Sequence, residues 1–168
     1  MIRAEQPGDS EAIHRVNAIA FGRANEADLV DQLRGLPHTL SLVAVAEHAI
    51  VGHIFFSPVT VAVTQAEDTL LLGLAPLAVL PAFQRQGLGS QLIRQGLTLS
   101  AQMGAKAVVV LGDPSYYGRF GFVPAQAKAL TCEYTVPDGA FRVLELQPGA
   151  LAGCQGLVRY RPEFAVCE

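Results

Sequence analysis

Tryptophan is absent from this chain. Cysteine, histidine and methionine are scarce, at three, four and two residues among 168. Cys132, Cys154 and Cys167 are odd in number and none belongs to a Cys-x-x-Cys pair. Neither a disulfide framework nor a structural zinc is expected, and a reducing cytoplasm is the expected compartment. His14, His38, His48 and His53 are scattered with no His-Glu-x-x-His, so the sequence spells out no metal centre. Charge is sparse as well: charged residues are 16% of the chain, and 12 Lys+Arg against 15 Asp+Glu leave a net charge of −3. That balance lacks the basic field of a nucleic-acid or anionic-membrane binder, so neither partner is expected. A local anion pocket built from backbone amides stays open. Long apolar runs are missing too. Leu70 to Leu80 is broken by Gly73 and Pro76, well short of the roughly 20 residues of a membrane span. Met1 to Glu5 leads into no apolar stretch, so no secretory signal is expected.

What the chain does have is apolar mass: 51% of its residues are hydrophobic, enough to bury a sizeable core. No repeat or linker is visible, and one α+β domain over residues 1–168 is expected. Ile2 to Glu5 reads as a short strand, and Asp9 as the cap of a helix with Ile13, Val16 and Ala20 on one face. A second helix is expected from Glu26 to Arg34, ended by Leu36-Pro37. Three strands then follow as a meander: Leu42 to Ala46, Ile50 to Val63 and Thr69 to Val79, with turns at His48-Ala49 and Gln65 to Asp68. Leu92, Gly96, Leu99 and Met103 mark a helix from Ser90 to Met103, with Gly104 as its left-handed cap. Ala107 to Leu111 is a β-branched run that predicts a strand buried on both faces. A short helix is expected over Ser115 to Phe120, then strands at Thr131 to Thr135 and Phe141 to Leu146.

Between the third strand and its helix stands Gln84-Arg85-Gln86-Gly87-Leu88-Gly89-Ser90. Glycines here let successive amides converge, and the helix start adds its positive dipole end, a combination suited to a phosphate or diphosphate. Arg85 offers a full charge beside them. No Gly-Lys-Ser/Thr follows, so this is no nucleoside-triphosphate loop, and Leu92 stands where a dinucleotide fingerprint needs its third glycine. From spacing alone a plain strand-to-helix turn is an equal reading.

Two segments carry a resemblance. Gln84-x-x-Gly87-x-Gly89, preceded by Leu74-Ala75-Pro76-Leu77-Ala78-Val79, resembles the acetyl-CoA signature of the GNAT superfamily of N-acetyltransferases. Tyr116-Tyr117-Gly118-Arg119-Phe120-Gly121-Phe122 resembles that superfamily's later Tyr-x-x-x-Gly-Phe segment, in the right order along the chain. Within the superfamily, Gly112-Asp113-Pro114-x-Tyr116 to Phe122 and the later Val143-Leu144-Glu145-Leu146-x-Pro148-Gly149-Ala150-Leu151 are similar to a bacterial subgroup of predicted N-acetyltransferases with no assigned substrate.

The resemblance implies a mixed, mostly antiparallel central sheet flanked by helices, with strands splayed where acetyl-CoA enters. It implies that main-chain groups of Leu77, Ala78 and Val79 receive the pantetheine arm. Gln84, Arg85, Gln86, Gly87, Leu88, Gly89 and Ser90 would surround the diphosphate. The acceptor would be a primary amine, on a small molecule or a protein N-terminus, and homodimers are frequent in the family. Tyr117, four residues before Gly121, is the expected acid at the leaving thiolate, with Tyr116 the alternative, since neighbouring helical residues point about 100° apart. The third strand carries no carboxylate or histidine beyond its first residue. Glu26 and His53 are therefore the candidates for the base: Glu26 as base or amine-binding carboxylate, His53 for its near-neutral pKa. Each also has a structural reading, Glu26 as dipole compensation and His53 as a bonded sheet residue. The same residues admit a coenzyme A sensor without chemistry, or a structural subunit.

Overall fold

The computed structural model describes residues 1–62 and 69–168. The expected turn at Gln65 to Asp68, and Val63, lie outside the described residues. Two compact units are present, one made of Met1–Ser57, Ala75–Leu99 and Pro162–Glu168, the other of Pro58–Leu74 and Ser100–Arg161.

The first unit begins with strand β1 (Ile2–Ala4) and helices α1 (Ser10–Phe21) and α2 (Asn25–Leu33). Strands β2 (Leu40–Ala46) and β3 (Ala49–Val61) follow. β1 pairs antiparallel with β2, Arg3 opposite Val43, and β2 pairs antiparallel with β3, Val43 opposite His53. The β2–β3 turn is made by Glu47 and His48, both at positive φ, which matches the right-handed twist of a two-residue hairpin. The turn is thus one residue earlier than expected. Asp9 precedes α1 but does not cap it. Its carboxylate instead accepts from Arg3 at 2.7 Å and from the Gln6 amide at 2.7 Å, tying the helix start to β1.

Strand β4 (Leu71–Val79) lends its second half to this unit, and helix α3 (Leu88–Gln102) most of its length. Ile13 and Val16 of α1, Leu29, Val30 and Leu33 of α2, and Leu92 and Ile93 of α3 are fully buried. Gly96 explains how α3 approaches the sheet. A Cβ there would stand 2.6 Å from Cζ of Phe56, so a residue that weakens helices is kept for the ring it admits. A 3₁₀ turn over Pro162–Cys167 packs on α2, where Asn25 Nδ2 donates to the Val166 carbonyl at 2.7 Å.

In the second unit β4 runs parallel to β5 (Ala107–Leu111) over three pairs, the last Gly73 opposite Val109, while β4 itself continues to Val79. β5 also pairs antiparallel with β8 (Phe141–Glu145), and β8 with the two-residue β6 (Val123–Pro124). Flanked on both edges and buried from Ala107 to Val110, β5 is the enclosed strand its β-branched run predicts. The end of β3 pairs with β9 (Gly156–Arg159), which runs parallel to β7 (Leu130–Cys132). β7 is shorter than expected because the Tyr134 amide turns back to the Cys132 sulfur. Helix α4 (Pro114–Gly118) is capped by Asp113, whose carboxylate accepts from the Ser115 amide at 2.9 Å. Mostly antiparallel strands with flanking helices bear out the α+β expectation.

Gly96→Leu is expected to destabilise the protein. Forcing a branched side chain against Phe56 costs about 1–3 kcal/mol of overpacking, which exceeds the roughly 1 kcal/mol a helix gains on losing glycine. Urea unfolding should show a lower midpoint at unchanged slope.

Candidate active site

After β4, a 3₁₀ turn at Pro81–Phe83 leads into the glycine loop. Arg85 at φ +61° and Gly87 at φ +85° turn the backbone left-handed twice within three residues. Arg85 has a Cβ and bears that conformation at a cost, a strain of the kind that gathers at functional loops. α3 starts at Leu88, two residues earlier than the sequence suggests, and its first closed bond runs from the Gln91 amide to the Gly87 carbonyl. The amides of Leu88, Gly89 and Ser90 therefore have no partner within the helix. Gln84 to Gly87 are exposed, and Gln84 Nε2 donates to the Val79 carbonyl at 3.0 Å, fastening the loop to the last residue of β4. Such convergent amides at a helix start suit an anion without any fixed side-chain charge.

In the other unit α4 carries both tyrosines. Tyr117 is 9% exposed, and its ring meets Tyr116 edge-on at 5.1 Å and Phe122 at 5.8 Å. Among the described residues nothing hydrogen-bonds its hydroxyl. Burial, with a smaller push from Tyr116, holds the Tyr117 phenol well above the usual tyrosine range, so it is protonated at every physiological pH. Tyr116 is half-buried, with the Arg119 guanidinium 5.5 Å over its ring.

His53 departs from the sequence expectation. It is 0% exposed in the middle of β3, and burial, helped by the Arg34 charge, lowers its pKa to about 3 rather than leaving it near neutral. Asn17 Nδ2 donates both to the Ile13 carbonyl and to His53 Nδ1, each at 3.0 Å, and the carbonyl contact fixes which way the amide points. His53 Nε2 then donates to Ser41 Oγ at 2.9 Å, and Ser41 passes its proton side to Glu5 at 2.6 Å. Glu5 is paired with Arg34, Arg34 with Asp31, and Asp31 with His14. The neutral imidazole gives a partner to both the Asn17 amide nitrogen and the Ser41 hydroxyl. A second N–H would face the Asn17 amide donor. Of its two sequence readings, the bonded sheet residue is the one realised.

Glu26, 8% exposed, sits in the first turn of α2. Hydrogen bonding from Arg23, at 2.9 Å from Nε, holds its carboxyl below the usual range, and the Cys167 thiol touches it as well. It is an anion at neutral pH and a weak base. Burial raises all three thiols, Cys167 to about 11, so none is the activated thiolate that an acyl-cysteine route requires. Phe55 and Phe56 of β3 are core residues, whereas Phe21 at the end of α1 is 41% exposed. The chain Asn17–His53–Ser41–Glu5–Arg34 escaped the sequence analysis. Its visible signal was an asparagine on the apolar face of α1.

Because the folded state excludes the charged imidazole, the unfolded chain binds more protons between pH 6.5 and about 3. Stability is then fully present above pH 6.5 and falls as pH drops, by about 1.4 kcal/mol per pH unit for this one group. His53→Gln should lose that part of the acid slope, as read by urea midpoints from pH 7 to pH 4.

The glycine loop and the α4 segment lie within or at the edge of residues 10–122, which match the model of the Acetyltransferase (GNAT) family. The uncharacterized N-acetyltransferase YhbS of Escherichia coli (strain K12) is 41% identical over 166 residues, 98% of this chain and 98% of that protein. The crystal structure of YhbS from Escherichia coli in complex with CoA matches with a TM-score of 0.90 at 40% identity, over 98% of this chain and 91% of that one. A GNAT family acetyltransferase from Brucella melitensis, in complex with acetyl-CoA, matches with a TM-score of 0.77 at 36% identity, over 98% and 97% of the two chains. A family model that matches more than half of the chain, and relatives about 40% identical over nearly all of it, have one explanation: the chain belongs to the GNAT family of N-acetyltransferases.

Proposed function

We propose that the chain acts as a single N-acetyltransferase domain, moving the acetyl group of acetyl-CoA onto a primary amine by direct attack. The loop carries this reading: left-handed turns at Arg85 and Gly87, directly before α3, leave the amides of Leu88, Gly89 and Ser90 free for a diphosphate. Gln84, Arg85 and Gln86 complete its rim, and the main chain of Leu77, Ala78 and Val79 takes the pantetheine as an added strand would. The relatives bound to CoA and acetyl-CoA support this assignment.

In the reaction the amine nitrogen forms the C–N bond, the thioester C–S bond breaks, and coenzyme A leaves as a thiolate. An alkylammonium with a pKa of about 10.4 costs roughly 4.6 kcal/mol to neutralise at pH 7. His53 and Glu26, with lowered pKa values, are poorly suited to accept that proton. The amine sheds it to water before attack, the nitrogen releases a second proton to water as the amide forms, and the coenzyme A thiolate takes its proton from water. Glu26 serves as a carboxylate that attracts the cationic acceptor. Tyr117 is the residue assigned to the departing sulfur. Its raised pKa makes full transfer to a thiolate more uphill than the roughly 2 kcal/mol for an ordinary phenol, so it acts as a hydrogen-bond donor to the growing charge. Tyr116, its ring edge-on to that of Tyr117 at 5.1 Å, is assigned to cofactor binding and stays the alternative donor.

A second reading, a coenzyme A sensor without chemistry, draws on β4, which carries no ionisable side chain from Leu71 to Val79. Calorimetry with acetyl-CoA and coenzyme A release across an amine panel decide between them. Binding with turnover supports the enzyme, binding without turnover the sensor, and no heat at millimolar coenzyme A removes both. Gly87→Ala should weaken acetyl-CoA about tenfold. Its Cβ meets nothing within 4 Å, so the loss comes from left-handed strain of about 1–2 kcal/mol. Tyr117→Phe should lower kcat at least tenfold with little change in acetyl-CoA affinity. The rise of kcat/KM with pH should be the same in wild type, His53→Gln and Glu26→Gln, while Glu26→Gln raises the amine KM.

A further inference from the structure

Gly112, the residue after β5, is not left-handed, so its backbone conformation alone would accept any side chain. Space forbids one. A Cβ on Gly112 would lie 2.9 Å from Cδ2 and 3.4 Å from Cζ of Tyr117, and closer still to Cε2. The phenol ring therefore rests against the bare Cα. This floor cannot recede, because the Gly112 amide donates to the Ala140 carbonyl at 3.0 Å, one step beyond the Leu111–Phe141 pair of the β5–β8 ladder. The far edges of the ring are held by Tyr116 and Phe122, both packed edge-on. Its backbone is held in turn, since the Tyr117 amide donates to Asp113 O at 3.1 Å and the Asp113 carboxylate caps the same turn. The hydroxyl has no partner among the described residues. Packing of the ring is thus what aims it.

We propose that Gly112 is a positioning residue for Tyr117: lacking a Cβ, it seats the ring on the end of β5 and so fixes where the hydroxyl points. This rests on the reading of Tyr117 as the donor to the departing sulfur. A donor in that role must be held close to its productive geometry, and a displacement of about 1 Å can cost up to about 100-fold in rate.

The test is a double-mutant cycle of Gly112→Ala and Tyr117→Phe, with kcat and KM from coenzyme A release, acetyl-CoA affinity by calorimetry, and Tm. Gly112→Ala is expected to lower kcat about 10- to 100-fold, keeping acetyl-CoA affinity within about twofold. On the Tyr117→Phe background the same change should leave kcat where it is, because the hydroxyl it misaims is gone. Tm should fall alike in both backgrounds, because phenylalanine fills the same seat, and this separates packing from aiming. Equal kcat losses in both backgrounds would overturn the proposal, as would a Gly112→Ala enzyme with wild-type kcat when Tyr117→Phe is impaired. Should Gly112→Ala not fold, Phe122→Leu removes another wall of the seat and enters the same cycle with the same expectations. Wild-type turnover by Tyr117→Phe would instead defeat the assignment of Tyr117, a failure visible before Gly112 is touched.

Discussion

The function proposed for this chain depends on main-chain amides that helix geometry leaves without an intrahelical partner at the start of α3. A helix cannot satisfy its first donors, and here the preceding residues do not cap them with a side chain. They turn away through Arg85 and Gly87 and leave the donors at an exposed loop. Net charge is −3, so no general basic field draws in an anionic cofactor. In the proposed site local peptide dipoles replace it, which would tie binding to backbone shape and make one left-handed residue count for more than a distant lysine. The Gln84 contact to Val79 belongs to the same economy. It links the strand that would receive the pantetheine to the loop that would receive the diphosphate by one side-chain amide.

The buried chain from Asn17 through His53 to Arg34 shows the opposite use of polarity. Its charged members, Glu5 and Arg34, lie near the surface, and the group enclosed completely is a neutral imidazole. Asn17 and Ser41 present one donor and one acceptor to its two nitrogens, which selects a single tautomer. Histidine is there to join α1, β2 and β3 by directed bonds across an otherwise apolar core. That role requires the low basicity that disqualifies it as a base at neutral pH.

How much was legible in the sequence follows from the range of the forces involved. α1, α2 and α3 were readable because their apolar stripes repeat within the helix, and β5 because a β-branched run has few other uses. The glycine loop was readable because its chemistry is local: conformation, dipole and spacing lie within seven residues. β6 and β9 were not, since two and four residues owe their state to ladder partners far along the chain, β8 in one case and β3 and β7 in the other. Asp9 misled for a similar reason. Its sequence position suits a cap, but Arg3 on β1 competes for the carboxylate and wins with a full charge. The protonation of His53 was out of reach because burial and a facing amide set it, and neither can be counted from a string of letters.

The raised pKa of Tyr117 bears on the role proposed for it at the departing sulfur. A general acid gives up its proton and is best when its pKa matches its task, and by that standard burial makes this phenol worse. A donor that keeps its proton is judged differently. It must be present, unpaired and fixed before the sulfur becomes negative, so that no reorganisation is needed when the C–S bond breaks. Burial helps there, since a low local dielectric strengthens the bond to an anion far more than to a neutral thioester. Such preference for the charged state over the ground state is what lowers a barrier. The ring on Gly112, the edges of Tyr116 and Phe122 and a hydroxyl without a partner among the described residues are the features this second role calls for, so the same burial that disfavours proton transfer suits the electrostatic role proposed for Tyr117.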